Sequence, residues 1–507
     1  MSELDKITYL QQQKPTRIVG VLILNSKHKY GKKNRKDRRS ANYYLFRPFD
    51  NNFPSFKVAS KIKGENEYII IKPLLNKDFS EIPFGENLGH KIGKVSHLES
   101  TKKALYFYYN LDFKKFKEVV PKWNHWPVEN KNKIISIDPK GCIDIDDAVS
   151  YGGNILKIYL ADTTLITEKI LEHACEQCTT IYTKEKIQHM LPEEIMNLCS
   201  LLEGKIRRAN VCEIRINEQY EIKDYKFYQE IIQVNKNYSY VEADTLNDPY
   251  IETIMHIVEK INFSYSEQEG SRSHKVIEKL MVMVNSLVVK KLLETKKQFI
   301  IRKHSSNKID KKKVPAIFSS FYNIYTSNSA EYALYDEKSE HSGLNIKQYT
   351  HFTSPLRRLV DLINHLILFT DKKLTDEELL NICNNCNDIN KRIKRYDIEC
   401  KKLDLLTDDS DNDYDITYKG YIIDFIEREN LPIKIKFYIP DIGIILSQEA
   451  FNNKLKTLHK TELAENKLKI VKDNELVEYE IFQEISVSLH KRPDEINPNR
   501  KLKFEIF

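Results

Sequence analysis

Between Ile134 and Val149 two apolar stretches enclose four aspartates, and few folds can hold such a run. Ile134, Ile135 and Ile137 lead a buried β-strand to its end at Asp138. Pro139 and Gly141 then turn the backbone, and Asp144, Asp146 and Asp147 follow within four residues. The apolar flanks require this turn to be partly buried. Crowded carboxylates raise the energy of the ionised state unless cations are present. Burying them uncompensated is costly. An all-oxygen donor set suits a hard divalent ion such as Mg²⁺. Two such ions about 3.5–4 Å apart can clamp a phosphoryl group, one lowering the pKa of the attacking water and the other steadying the leaving oxygen. Two alternatives stand beside this. One is a solvated Asp-rich turn. The other is a calcium loop, although the twelfth position from Asp144 is Ile155, where such a loop needs glutamate.

A second segment, Thr353-Ser354-Pro355-Leu356-Arg357-Arg358-Leu359-Val360-Asp361, reads as a helix start. Ser354 suits the N-cap and Pro355 the first turn. Arg357 and Arg358 then fall where the helix dipole disfavours cations. That placement makes sense with an anion there, a phosphate held by backbone N–H groups and two guanidinium forks. The alternative is that Asp361 merely pairs with the arginines, in the weaker order along a helix.

The layout expected around these segments is a multidomain α/β chain. Residues 1–13 form an N-terminal tail. Residues 14–113 read as all-β, with stretches at 18–24, 43–47, 56–59, 68–71 and 104–109 separated by turns and charges. Residues 26–40 carry Lys27, Lys29, Lys32, Lys33, Arg35, Lys36, Arg38 and Arg39 against Asp37 alone. Such a loop can bind a phosphate backbone through counterion release. A solvated tip or a localisation signal is the alternative. Residues 114–133, with Trp123 and Trp126, form a connector. Residues 134–406 mix strands (135–137, 155–160) with helices (277–292, 374–406). The helix at 277–292 carries an apolar stripe through Ile277, Leu280, Met281, Val284, Leu287 and Val288. Residues 407–415 form an acidic linker. Residues 416–507 read as a second small barrel, with strands at 418–425, 432–439 and 444–446 and an alternating run at 476–489.

Composition narrows the class without naming it. Hydrophobic residues are 41% of 507, too many for a disordered chain, and the net charge of +7 fits a nucleic-acid partner without demanding one. No stretch approaches the roughly 18 apolar residues of a membrane span, and the N-terminus lacks the apolar core of a secretory signal. The expectation is a soluble intracellular protein of nucleus or cytoplasm, with no membrane partner and no nucleotide cofactor. Eight cysteines are too sparse for a disulfide scaffold. Cys175/Cys178 and Cys383/Cys386 have zinc-ligand spacing, but both pairs sit in helix-like segments and read as buried thiols.

The run at 136–149 resembles the signature of the RNB, or ribonuclease II, exoribonucleases, and residues 351–361 resemble that family's Thr-Ser-Pro-Ile-Arg-Arg block. The wording Ser-Ile-Asp-Pro-x-Gly-Cys-x-Asp-Ile-Asp-Asp is most similar to the family's RNA-exosome branch. Further blocks follow in the same order: Met190-Leu191-Pro192 with 198–201, 277–281 with Asn285, 302–304 and 341–344.

The resemblance implies an RNB core flanked by an N-terminal cold-shock-like OB barrel and a C-terminal OB barrel. It implies single-stranded RNA threading toward the aspartates, with hydrolysis 3′→5′ to nucleoside 5′-monophosphates. By the family pattern, Asp138, Asp144, Asp146 and Asp147 hold Mg²⁺, with Mn²⁺ as substitute, and Arg357 stabilises charge on the scissile phosphate. Tyr182 falls beside the 3′-terminal nucleotide. Thr353, Ser354, Arg358, Glu278, Asn285 and His341 are the other RNA-contact candidates in the core, joined by Lys32, Lys33 and Arg35 in the basic loop. The expected form is a reduced one without a PIN nuclease domain, acting alone or on an exosome core ring. Two departures stand out. Leu359 replaces a tyrosine, and Gln177 and Cys178 stand where the family has arginine and glycine. A catalytically silent RNA-binding scaffold is the competing class.

Overall fold

The structure is a computed structural model. It describes residues 2–506 except 35, 37–38, 75–81, 115, 117–126, 129–131, 185, 268–269, 305–329, 407–414, 429–430, 450–460, 465–466, 473–474 and 493–494. Arg35, both tryptophans and nearly all of the acidic linker therefore lie outside the described residues. The chain divides into two units, one of Met1–Asp112 with Arg392–Phe507 and one of Phe113–Lys391.

In the first unit the N-terminal strands Ile18–Ile23, Asn42–Pro48, Phe56–Ser60, Phe84–Asn87 and Glu67–Leu74 pair in that order, and the last returns to the first. The closing register sets Ile18 opposite Ile71 and Leu22 opposite Glu67. Closure removes the sheet edges and leaves a small barrel filled by Leu22, Phe46, Phe56, Val58 and Ile71. A Cβ on Gly20 would lie 2.2 Å from the Arg47 carbonyl oxygen, so the approach of the first two strands needs glycine.

Two expectations fail here. Residues 1–13 are not a tail: Glu3–Gln13 is a helix, started by a capping box between Ser2 and Asp5, and it buries Leu10 in the barrel core. Residues 104–109 are not a strand but the end of the helix Leu98–Tyr108. Their aromatic content suggests β, yet Thr101, Ala104 and Leu105 are buried at helical spacing. Ala104 packs on the outer faces of the barrel strands against Val19, Val21, Tyr68 and Ile70.

The C-terminal strands Ile444–Glu449, Leu431–Ile439, Asp415–Arg428, Glu484–Lys491 and Leu502–Ile506 form an antiparallel half-barrel in that order. Ile422, Ile435, Phe437, Ile485 and Val487 fill it. The alternating run at 476–489 is two strands, Glu475–Glu480 and Glu484–Lys491, broken at Phe482, whose φ is 70°.

The second unit is built on a six-stranded sheet ordered Ile222–Gln233, Ile206–Ile216, Ile155–Ala161, Asp147–Gly152, Ile135–Asp138, Lys236–Ser239. All neighbours are antiparallel except the last pair, where Asp138 stands opposite Ser239. The predicted apolar stripe lies in the helix Arg272–Glu294, with Ile277, Leu280, Val284 and Val288 buried. The helix Leu359–Phe369 is buried from Leu359 to Ile367, including Asp361, Asn364 and His365. The basic helix at 374–406 is observed as Asp376–Asp404. Among the described residues no helix is long and apolar enough to cross a membrane.

Candidate active site

The aspartate run sits where the sheet's central strands turn. Ile135–Asp138 ends at the first aspartate and Asp147–Gly152 begins at the last. Gly141 takes φ +82° between them, a backbone conformation that favours glycine. Ser200 staples the loop, accepting from the Ile145 N–H at 2.9 Å and donating to the Ile143 carbonyl at 2.8 Å. Ile145 is buried beneath, so the aspartates on either side of it are held by a fixed backbone.

A pocket of about 890 Å³ opens over this loop and is lined by all four aspartates and Arg357. Tyr182, Glu278, Asn285, His341, Thr353, Ser354 and Arg358 line it too. The fold thus gathers every core candidate into one cavity. Lys32 and Lys33 belong to the first unit, in the exposed connection between its first two strands.

The carboxylates differ in surroundings. Asp144 accepts the Tyr182 hydroxyl at 2.5 Å and the Cys142 thiol at 3.3 Å. Asp146 accepts the Leu356 N–H at 2.9 Å on one oxygen and Arg357 Nε at 3.1 Å on the other. Asp138 keeps one oxygen, Oδ2, buried without a hydrogen-bond partner among the described residues. Burial raises Asp138 to about 6, helped by Asp144 and opposed by a Ser136 hydrogen bond and by Arg357. Burial raises Asp146 to about 7 even against the pull of Arg357. Asp147 is held well above the ordinary carboxylate value by burial and by Asp138 and Asp146. Among the described residues no three acidic, histidine or cysteine side chains stand in a ready metal-holding group. Tyr182 and Arg357 take up oxygens of Asp144 and Asp146.

The arginine block departs from its expected geometry. The helix starts at Leu359 with Arg358 at the N-cap, so Ser354 is not the cap and neither arginine is in the first turn. The cause is Asp361, which accepts both the Ser354 N–H and Arg358 Nη2 at 2.8 Å. Thr179 adds to this by bridging Arg358 in extended backbone. Ion pairing with Asp361 thus explains Arg358 but not Arg357. Arg357 reaches instead to Asp146 and, through Nη2, to the Ser354 hydroxyl at 3.0 Å. Its side chain remains 43% exposed to the pocket.

Other candidates sort by what they touch. The Tyr182 ring is half exposed in the pocket wall. Asn285 is buried, with Oδ1 accepting the Phe352 N–H and Nδ2 donating to the Tyr349 hydroxyl. Its observed contacts hold protein rather than face a ligand. Burial and the neighbouring His304 and Arg302 lower His341 to about 4, and its ring stacks on His304 at 5.1 Å. Arg302 and His351, from the blocks at 302–304 and 351–361, also line the pocket, as does Tyr349, which lies in none of the blocks read from the sequence. Arg302 lies over the Tyr332 ring at 4.4 Å.

The two C-x-x-C segments, about 200 residues apart in sequence, meet in space: Asn385 Nδ2 donates to the Cys175 carbonyl at 2.8 Å. All eight cysteines are free thiols. Cys178 sits at φ +60°, and its carbonyl accepts the Leu359 N–H at 2.9 Å. The segment departing from the family pattern therefore buttresses the arginine block.

The RNB domain family matches residues 129–253 and 246–371, which carry the whole pocket. The chain is 24% identical over 482 residues to the human exosome complex exonuclease RRP44, covering 74% of this chain and 50% of that one. It is 25% identical over 389 residues to ribonuclease R of Chlamydia muridarum, covering 61% and 55%. The chain thus spans about half the length of these curated relatives. Its fold resembles the apo form of Mycoplasma genitalium RNase R, with a TM-score of 0.63 at 16% identity over 97% of this chain and 100% of that one. It also resembles yeast Ssd1, a pseudonuclease, with a TM-score of 0.58 at 16% identity over 86% and 65%. With the aspartate run and the arginine block lining one pocket, and the family match spanning both, residues 129–371 of the chain carry an RNB domain.

Proposed function

We propose that the protein is a Mg²⁺-dependent exoribonuclease that hydrolyses single-stranded RNA from the 3′ end to nucleoside 5′-monophosphates. One observation carries the reading: four largely buried carboxylates and a half-exposed arginine share one pocket, with Arg357 bonded directly to Asp146. The donor set fits a hard divalent cation. It is all oxygen, and one Asp138 oxygen is buried without a partner among the described residues. Asp138, Asp144, Asp146 and Asp147 would hold the ion, which would activate water and offset charge on a phosphodiester. Arg357 keeps Nη1 unbonded among the described residues, a donor for a phosphate oxygen beside the carboxylates. The Tyr182 ring offers a stacking face, and base–aromatic stacking is worth about 1–3 kcal/mol. The relatives named as exosome exonucleases motivate an exosome-type core ring as a partner, which co-purification with such a ring would test.

A second reading, a silent RNA-binding protein, is motivated by the likeness to a pseudonuclease. Degradation of 5′-labelled single-stranded RNA with Mg²⁺ and with EDTA, beside a DNA control, separates the two. The expected result is metal-dependent shortening from the 3′ end with mononucleotide release. Tight binding without shortening would favour the silent reading.

Metal binding should also release protons. Carboxylates raised to about 6 and about 7 hold part of their protons near neutrality, and a cation must displace them. Apparent Mg²⁺ affinity should therefore rise with pH through this range. Calorimetry at about pH 6.5, in buffers of different ionisation enthalpy, should show more proton release than at about pH 8.5. A heat independent of buffer at both values would mean the carboxylates are already ionised.

A further inference from the structure

Between Phe352 and the helix start at Leu359 the chain has no helix or strand, so its backbone groups must find other partners. Phe352 is gripped on both sides. Its N–H donates to Asn285 Oδ1 at 2.8 Å, and its carbonyl lies 2.7 Å from His365 Nε2. A carbonyl only accepts, so Nε2 carries the proton. Nδ1 of the neutral ring is then an acceptor, and the Asn210 amide nitrogen stands 2.8 Å from it. That amide also donates to Asp162 Oδ1 at 3.4 Å, and Arg208 pairs with Asp162. His365 and Asn210 are 0% exposed and Asp162 is 1% exposed. The imidazole also packs on the Phe352 ring, with centroids 4.1 Å apart. A buried chain of side chains thus runs from the central sheet through helix Leu359–Phe369 to the backbone two residues before Ser354. From there Leu356 N–H and Arg357 Nε reach Asp146.

We propose that His365, oriented by Asn210, is a positioning residue that sets Arg357 against Asp146, an inference that rests on the nuclease reading above. His365 is 0% exposed and is not among the described residues that line the pocket. It acts through the Phe352 carbonyl, with one ring nitrogen for each neighbour.

The two nitrogens give a graded test. In His365→Gln the terminal amide can still donate to the Phe352 carbonyl, because its nitrogen falls near the position of Nε2. In His365→Asn the shorter amide reaches Asn210 but not Phe352. Misplacing a catalytic group by about 1 Å can cost about a hundredfold in rate. His365→Asn should therefore lower kcat on single-stranded RNA by about ten- to a hundredfold with KM within about threefold, and His365→Gln should recover most of that loss. In an Arg357→Ala background, read by single turnover, His365→Asn should cost no more than about twofold, because the group it positions is gone. A purely structural role would lower the melting temperature and act equally in both backgrounds. If His365→Asn does not fold, Asn210→Ala carries the same expectation from the other side of the ring. Equal losses in both backgrounds, or an unchanged kcat in the folded variant, would overturn the inference and leave the nuclease reading standing. An inactive wild type would overturn both.

Discussion

Asp146→Asn should lower RNA hydrolysis by at least about 10²–10³-fold, the scale of losing one group that stabilises charge in a transition state, while RNA affinity stays within a few-fold. Of the four pocket aspartates, Asp146 is, among the described residues, the one bonded to the arginine block, through Leu356 N–H and Arg357 Nε. Asparagine can keep one of these bonds with its oxygen. It then turns an N–H toward the other donor, so Arg357 loses its anchor as the cation loses a carboxylate. The same variant should be more stable without metal. The folded-state value of about 7 lies above the ordinary 3.8, so the sign is that of a penalty. At about pH 3 both states are protonated and nothing is lost. Between the two values the unfolded chain sheds its proton while the fold retains it, and above about 7 the fold must bury the full charge. The pull of the Arg357 guanidinium lowers that value without reversing the sign. In EDTA at about pH 8 the variant should melt several degrees above wild type, at about 2–4 °C per kcal/mol for a domain of this size. The gap should close toward about pH 4. Retained turnover in Asp146→Asn would remove this residue from the catalytic set, and equal melting at both pH values would mean its charge is not buried at a cost.

The site was more legible in the sequence than the fold around it, for a physical reason. The four aspartates lie within ten residues, and their crowding is a local fact that needs no knowledge of the sheet. The strands of both flanking β regions were legible for the same reason, because alternation is local. Barrel closure was not, since nothing in either stretch says that Ile18 will stand opposite Ile71. The helix Leu98–Tyr108 was missed because its aromatic content favours a strand, while burial against the barrel's outer face selects the helical spacing of Thr101, Ala104 and Leu105. The arginine block was misread in a more instructive way. Ser354-Pro355 is a sound local helix start, but Asp361 and Thr179 bind the turn from outside and delay the helix to Leu359. That delay gives Arg357 its role. In a first helical turn it would sit against an unfavourable dipole, whereas on the turn before the helix it reaches across to Asp146. His365 and Asn210, 155 residues apart, carry no local signal at all, because a buried histidine on an apolar helix reads as core.

Arg357→Ala should lower kcat by about 10²–10³-fold with KM for RNA within about threefold, and the neighbouring arginine shows why the two effects separate. Arg358 is committed to the protein. It pairs at 2.8 Å with Asp361, whose side chain is 0% exposed, so removing Arg358 leaves a buried charge with one partner fewer. Arg358→Ala should therefore appear first as a lower melting temperature, by the 3–5 kcal/mol typical of breaking a buried pair. Arg357 is the reverse case. Its side chain is 43% exposed, and its partner Asp146, raised to about 7, holds part of its proton near neutrality. Losing this guanidinium leaves the fold nearly as stable and deprives the pocket of a fixed positive fork beside the carboxylates. Lysine should not replace it well. A single ammonium cannot bond Asp146 and the Ser354 hydroxyl from two edges of one rigid plane while presenting a third donor to phosphate, so Arg357→Lys should lie closer to alanine than to wild type. Steady-state kinetics on one RNA, with melting curves for all three variants, decide the matter. A loss confined to KM in Arg357→Ala would make Arg357 a binding residue, and a large fall in melting temperature would make it a structural one.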